Sequence, residues 1–488
     1  MPAKTTQFFM KHHSFIHLTI ALVIILIFWL LPPLAPITPI GMRVLGVFLG
    51  TLYGWNTCGF LWPSLLGILA FVLSGYMTMP QALAAGFGSS TCILLLFAFL
   101  FLSIMNDSGA SRFIALWIIS RKCFAGKPWL LSWAFFAASY ALCCVTTAVA
   151  TIVLCWSILY TLCQSVGYQS GDRYPTAMVI GVVYACEIGS VALPWRANPL
   201  LLMGTFESIS AIPTNYLYYI AITIPIALIC ITLYIVMCKF LFRIDASRLA
   251  QANTAAICTT DELTLNKQQK LGLGFLGVMV LAMLLPSLLP AHSLVGTILN
   301  RLTPAGILMT FVLLLMLTHL DGKPFFDFKT AASRIQWETI FLCAATLPIT
   351  SALTNESTGI QPALELLLHP LLSHTSPLIF TLLIFIIAII LTNFANNVIT
   401  GIILIPVVYS FSVNMGLDAS AIVILMCVCV HFGILTPVAS PMAAVLYSNT
   451  QWVKTKDILH FGFPALLLAL TAIWLIGLPW THFIAAFF

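Results

Sequence analysis

Apolar runs of about 20 residues recur along the chain, among them "IHLTIALVIILIFWLLPPL" (16–34), "NYLYYIAITIPIALICITLYIVMCKFLF" (215–242) and "FPALLLALTAIWLIGLPW" (463–480). About 20 residues of helix are what it takes to cross roughly 30 Å of hydrocarbon. The 488 residues are 61% hydrophobic and only 7% charged, whereas about a quarter of the residues in soluble domains carry charge. The longest polar stretch, "RIDASRLAQANTAAICTTDELTLNKQQK" (243–270), is too short for a soluble domain and reads as a linker. The fold class is therefore an all-α polytopic membrane protein.

The net charge of +6 is not a nucleic-acid signal, because its distribution follows the rule that short cytoplasmic loops keep Lys and Arg. With a cytoplasmic N-terminus carrying Lys4 and Lys11, threading the spans places 17 of the 20 Lys and Arg inside. These include the loop 112–127, Arg173, the linker 239–270, the loop 323–334 and Lys454 with Lys456. Arg43 and Arg301 fall outside, and Arg196 alone sits at membrane depth. The expectation is a multi-pass protein of the cell (inner) membrane, N-terminus cytoplasmic, whose first apolar run is a retained helix rather than a cleaved signal. Most of the 14 cysteines lie within spans without a C-x-x-C ladder. They read as small hydrophobes, with no metal site.

Two apolar segments, 129–145 and 148–166, begin and end on the cytoplasmic side and are joined by little more than Thr146-Thr147. A turn with no polar loop fits a re-entrant hairpin whose tip stops inside the protein, where irregular backbone is tolerated. The pattern returns from the opposite side at 377–397 and 398–416, which abut at Asn396-Asn397. Each hairpin precedes a span broken at a proline pair, "LPWRANPLL" (193–201) and "LTPVASPMA" (435–443). That order, repeated with opposite orientation, is the plan of an inverted-repeat secondary transporter with its site at the midplane. About eleven transmembrane helices and two re-entrant helical hairpins are expected. The first helix occupies 1–37 and the first repeat 38–242, with hairpin 129–166 and broken helix 175–212. After the linker 243–270, the second repeat covers 271–488, with hairpin 376–416 and broken helix 418–449. Half-helix N-termini would present positive dipole ends to an anion there, and Arg196 adds a fork suited to carboxylate.

At these four positions the chain resembles the divalent anion:sodium symporter family, which carries di- and tricarboxylates. The family has a Ser-Asn-Thr motif at each hairpin tip. Here Asn396, Asn397 and Val398 fall on the second motif, and Val145, Thr146 and Thr147 on the first. The Pro-Val-Ala-Thr-Pro core of its second broken helix reads Pro437-Val438-Ala439-Ser440-Pro441. Its first, Gly-Thr-Pro-Pro-Asn, is replaced around "RANPL" (196–200). The resemblance implies substrate contacts from Thr146, Thr147, Arg196, Asn198, Pro199, Asn396, Asn397, Val398, Ser440 and Pro441. It implies a sodium site at Thr392, Ala395, Asn397 and Ala439, a homodimer, and elevator-like alternating access. Arg196 is expected to stand in for the first cation, which leaves sodium coupling and anion exchange both open.

Other readings stay beside these. Arg196 could pair with Glu187, and His431 could be a hydrogen-bonded core residue; both Glu187 and His431 are also candidates for coupling. Thr146 and Thr147 could simply cap a turn. The partners expected are a small anionic substrate and the lipid bilayer, with no nucleic acid and no cofactor beyond Na+ as a coupling ion. A carrier of another small anion or a zwitterionic metabolite, coupled to sodium or protons, is the alternative. A membrane-embedded enzyme would need clustered catalytic groups, and a channel would show a filter or pore rings; neither pattern is present in the sequence.

Overall fold

The computed structural model describes residues 2–109, 113, 117, 121, 126–251, 264–289, 293–364, 366 and 375–487. Arg112 and Lys122 of the basic loop, residues 252–263 of the linker, and His374 lie outside the described residues. The chain is helical nearly throughout, with one two-residue ladder, His319–Leu320 against Lys323–Pro324, as the strand pairing among the described residues. Seven described helices are long and apolar enough to cross a bilayer, or eight if Met79–Ala85 and Ser90–Met105, bent by 52°, form one span. Shorter apolar helices such as Trp337–Leu353, Pro377–Thr392 and Ala419–Val430 account for further apolar runs.

The described helices before the first hairpin are α1 (Pro2–Leu30), α2 (Pro39–Cys58), α3 (Leu61–Leu73), α4 (Met79–Ala85) and α5 (Ser90–Asp107). Proline at the first position of α6 (Pro128–Val145) starts the hairpin, since the missing N–H is an orphan there anyway. Only Thr146 and Thr147 separate α6 from α7 (Ala148–Ser165). Helix α8 (Arg173–Ser190) runs to the first break and α9 (Ala197–Ser210) leaves it. Then come α10 (Tyr216–Val236, extended by a π turn to Leu241), α11 (Lys267–Leu288), α12 (Leu294–Leu317), α13 (Phe328–Ser333) and α14 (Trp337–Leu353). The order hairpin, break, half-helix then repeats as α15 (Pro377–Thr392), α16 (Asn397–Asn414), α17 (Ala419–Val430) and α18 (Pro441–Ser448). A continuous helix, Thr455–Ala485, follows.

Packing explains why the interruptions are tolerated. Both arms of the first hairpin pack on α8, and both arms of the second pack on α17. The second halves cross over: α9 packs on α16 of the other hairpin, and α18 packs on α7 and α8. Tyr174 to Ser190 of α8 and all but one residue of α17 are buried, so the first halves of the broken helices form the centre. By contrast α11 buries only Gly272, Met279 and Met283, an outward apolar face suited to lipid.

Small residues let the central helices approach, as association in lipid rests on close packing rather than on water exclusion. A Cβ on Gly189, one turn before the first break, would lie 2.8 Å from both the Tyr140 carbonyl oxygen and Cys143 Cβ of α6. Gly189→Leu is expected to push the hairpin off α8 at a cost of about 1–3 kcal/mol. A fall in the unfolding temperature of detergent-solubilised protein checks this. Gly274→Ala on α11, where a Cβ meets nothing within 4 Å, should leave that temperature unchanged.

Candidate functional site

Each hairpin tip is hydrogen-bonded to the break of its own repeat. At the first, Arg196 caps α9 and its Nη1 donates to the Thr146 carbonyl at 2.6 Å. Thr146 Oγ1 lies 2.9 Å from the Leu142 carbonyl and 2.5 Å from Thr151 Oγ1, which holds the turn from within. At the second tip Asn393 performs most of the joining. Its Nδ2 donates to the carbonyls of Ile389 (2.7 Å) and Phe432 (3.2 Å), and its Oδ1 accepts from the Leu435 amide at 2.8 Å. Thr436 Oγ1 donates to the Asn393 carbonyl at 2.5 Å. Asn396 caps α16 by accepting from the Val398 amide at 2.9 Å. Helix α10 meets carbonyls freed at the first break, with Tyr219 donating to Val191 and Thr223 to Ala192, each at 2.8 Å.

Two further links join the repeats to each other. Glu187 on α8 is fully buried, and it accepts from Ser440 Oγ at the start of α18 and from Asn397 Nδ2 at 3.3 Å. Ser440 Oγ also caps α18 by accepting from the Ala443 amide at 2.9 Å. His431, fully buried at the second break, places Nδ1 2.7 Å from the Cys427 carbonyl and Nε2 3.0 Å from Asn198 Nδ2. A carbonyl cannot donate, so Nδ1 carries the proton and Nε2 accepts from the Asn198 amide. His431 is thus hydrogen-bonded through both ring nitrogens, to Cys427 on its own helix and to Asn198 from the first half of the chain.

Arg196 and Glu187 go to different partners. The ion pairs among the described residues are Arg248–Asp172, Lys267–Asp321 and Arg334–Asp107, all with partly exposed side chains. Arg196 instead faces a cleft of about 490 Å³ together with Thr147, Ser190, Asn198, Pro441, Arg334 and Gln336. Apolar walls come from Phe99, Leu102 and Met442. Both α9 and α18 begin at this cleft, so two positive helix ends and a guanidinium converge on it. Its volume and mixed lining are those of a small-molecule site.

The sequence-expected residues divide into groups. Thr147, Arg196, Asn198 and Pro441 line the cleft. Glu187, Thr392, Asn397 and Ser440 form a buried cluster beside it, with Ala439 fully buried nearby. A Cβ on Gly433 would lie 2.5 Å from Asn397 Oδ1 and 3.0 Å from Ala439 Cβ, so only glycine fits this corner. Thr146, Pro199 and Val398 are buried at helix ends, while Ala395 and Asn396 are half-buried at the second tip. Asn393 was not singled out in the sequence. The signal was available, because an amide at that depth is as costly unpaired as the two that follow it.

Within the buried cluster Thr392 Oγ1 approaches both Asn397 Oδ1 (2.7 Å) and the Val430 carbonyl (2.5 Å). One hydroxyl proton is shared by two acceptors, and the Glu187 carboxyl binds the same asparagine. Converging oxygens of this kind suit a hard monovalent cation, whereas the described residues contain no group of three His, Cys, Asp or Glu. A separate apolar crevice of about 500 Å³, with Asp418 and His482 among its lining, touches neither tip nor break.

The chain is similar to known transporters. The family model described as "Citrate transporter" (CitMHS) matches residues 51–428. An uncharacterized transporter of Methanocaldococcus jannaschii is 24% identical over 316 residues, covering 62% of this chain and 64% of that protein. The Na(+)/dicarboxylate cotransporter 3 of Rattus norvegicus is 26% identical over 168 residues, 34% of this chain and 27% of its own length. The chain thus spans under two thirds of the archaeal relative and about a quarter of the rat one. In structure it is similar to the Alcanivorax borkumensis YdaH transporter, with a TM-score of 0.56 and 15% identity over 85% of this chain and 89% of that one. That likeness shows the fold.

The Glu187 cluster has a measurable consequence for stability. Glu187→Leu strands the Asn397 Nδ2 donor, at about 1–3 kcal/mol when buried unpaired, and leaves the Ser440 hydroxyl only the Gly433 carbonyl at 3.2 Å. Glu187→Gln keeps one acceptor oxygen. The unfolding temperature in detergent should fall in the order wild type, Glu187→Gln, Glu187→Leu, and equal values for the two variants would contradict the hydrogen bonding described.

Proposed function

The chain belongs to the citrate transporter family, and from that premise we propose that it is a secondary active carrier of a small organic anion of the di- or tricarboxylate kind. The observation that carries the reading is Arg196 at the first break. A buried guanidinium, two helix N-termini and the Thr147 and Asn198 side chains share one cleft, and each favours a carboxylate over a neutral or cationic solute. The printed name of the rat relative, a sodium and dicarboxylate cotransporter, supports the same class.

In this reading the hairpins are re-entrant and the repeats inverted, so that the tips and breaks move as one body across the inner membrane. The arrangement of each hairpin around its own broken helix supports a rigid unit of that sort. The lipid-suited face of α11 supports a separate scaffold, in a homodimer with cytoplasmic N-termini. Sodium would be held at the second tip by Thr392, Asn397 and backbone oxygens near Ala395 and Ala439. At the first tip Arg196 supplies the positive charge permanently. A second reading follows from Glu187, whose carboxyl has two neutral donors and could take up a proton in place of the cation.

Purified protein in proteoliposomes separates these possibilities. Labelled citrate or succinate should accumulate with an inward sodium gradient, and a pH gradient should replace it if Glu187 carries the coupling proton. Arg196→Ala should lower uptake at least about tenfold, the loss of one charge-assisted contact. Undiminished sodium-driven uptake by that variant would remove Arg196 from the mechanism. Asn397→Ala should abolish the stimulation by sodium.

A further inference from the structure

Seven buried side-chain polar atoms have no hydrogen-bond partner among the described residues, and two of them, Arg196 Nε and Ser103 Oγ, belong to residues that line the same cleft. Ser103 lies on α5, outside both hairpins and both broken helices, and is 6% exposed; Arg196 is 7% exposed. Neighbouring serines behave differently. Ser108, just past the end of α5, donates to the Met105 carbonyl at 2.7 Å, and Ser190 across the cleft donates to the Glu187 carbonyl at 2.7 Å. Helical serines usually turn back to the carbonyl three or four residues earlier. Ser103 is left with a buried hydroxyl that has no protein partner, and an unmatched buried donor is destabilising.

The second Arg196 donor is equally unspent. Nη1 is committed to the Thr146 carbonyl, while the Nε edge has no acceptor. Both stranded donors would be satisfied by one group that offers acceptor oxygens and no protons, which is a carboxylate. Towards the exposed side of the cleft Arg334 provides a second guanidinium, held by Asp107 at the end of α5, with Gln336 beside it. The two arginines thus stand at a buried and an exposed part of one cleft.

Resting on the carrier reading above, we infer that Ser103 and the Nε edge of Arg196 form an oxyanion subsite that receives one carboxylate of the substrate, making α5 a direct substrate contact. Arg334 faces the remaining anionic end, so the cleft prefers solutes with at least two carboxylates.

Citrate and succinate serve as probes, with acetate as the single-carboxylate comparison. Their binding to purified wild type and Ser103→Ala is measured by ligand-induced thermal shift in detergent, and uptake by counterflow in proteoliposomes. Ser103→Ala should weaken citrate binding at least about tenfold, the loss of a hydrogen bond to a charged group. Its ligand-free unfolding temperature should stay equal or rise, since an unmatched hydroxyl has been removed, a result a merely structural serine would not give. Ser103→Cys should gain one modification by a sulfonate-bearing methanethiosulfonate over the wild-type background, and citrate should protect against it. The inference alone is overturned if wild type binds and carries citrate while Ser103→Ala binds it equally well, or if citrate leaves labelling of Ser103→Cys unchanged. If wild type neither binds nor carries any di- or tricarboxylate, the carrier reading fails and takes the subsite with it.

Discussion

A peptide group inside hydrocarbon has no water to bond to, and leaving it unmatched costs several kcal/mol. This chain interrupts its helices at four places, Thr146–Thr147, 191–196, 393–396 and 431–440, and each interruption releases N–H and C=O groups that the helix had satisfied. The breaks survive because they meet one another. Arg196 takes the Thr146 carbonyl, while Asn393 takes the Phe432 carbonyl and the Leu435 amide. Tyr219 and Thr223 take the carbonyls of Val191 and Ala192. At these four places a hairpin and a broken helix thus solve each other's deficit.

The same constraint ties the two repeats together. Since α9 packs on α16 and α18 packs on α7 and α8, the start of each second half lies against the opposite hairpin. Glu187 with Asn397 and Ser440, and Asn198 with His431, bridge that crossing. The two charged residues at the centre are not spent on each other. Glu187 sits among neutral donors and oxygen ligands, and Arg196 faces the cleft. A carboxylate and a guanidinium kept apart can each respond to a mobile ion, whereas a direct pair would have neutralised both.

Much of this was legible in the sequence because lipid imposes length and charge rules that individual side chains cannot override. The apolar runs, the doubled threonine and doubled asparagine between abutting segments, and the paired prolines pointed to the same four regions, although the second tip spans 393–396 rather than 396–397 and the breaks begin earlier, at 191 and 431. Arg196 announced itself by its cost. The partner of Arg196 did not, since Glu187 is nearest along the chain but bonds across to Ser440 and Asn397 instead. Asn393 and Ser103 were missed for different reasons. Asn393 is one of three asparagines within five residues, and nothing local says which one joins the tip to the break. Ser103 looks like any helical serine until its hydroxyl is seen to lack the usual carbonyl.

The sequence by itself determined the membrane class and the neighbourhood of the four interruptions, because hydropathy and helix-breaking residues act over a few neighbours and need no knowledge of what lies opposite. Tertiary structure alone decided which interruption faces which. It set Glu187 and Arg196 on different partners, turned Asn397 toward the buried cluster rather than the cleft, and brought α5 to the wall of the cleft. Those outcomes depend on hydrogen bonds between residues up to 253 positions apart. Such bonds are fixed by how packed helices cross, and no local pattern records it.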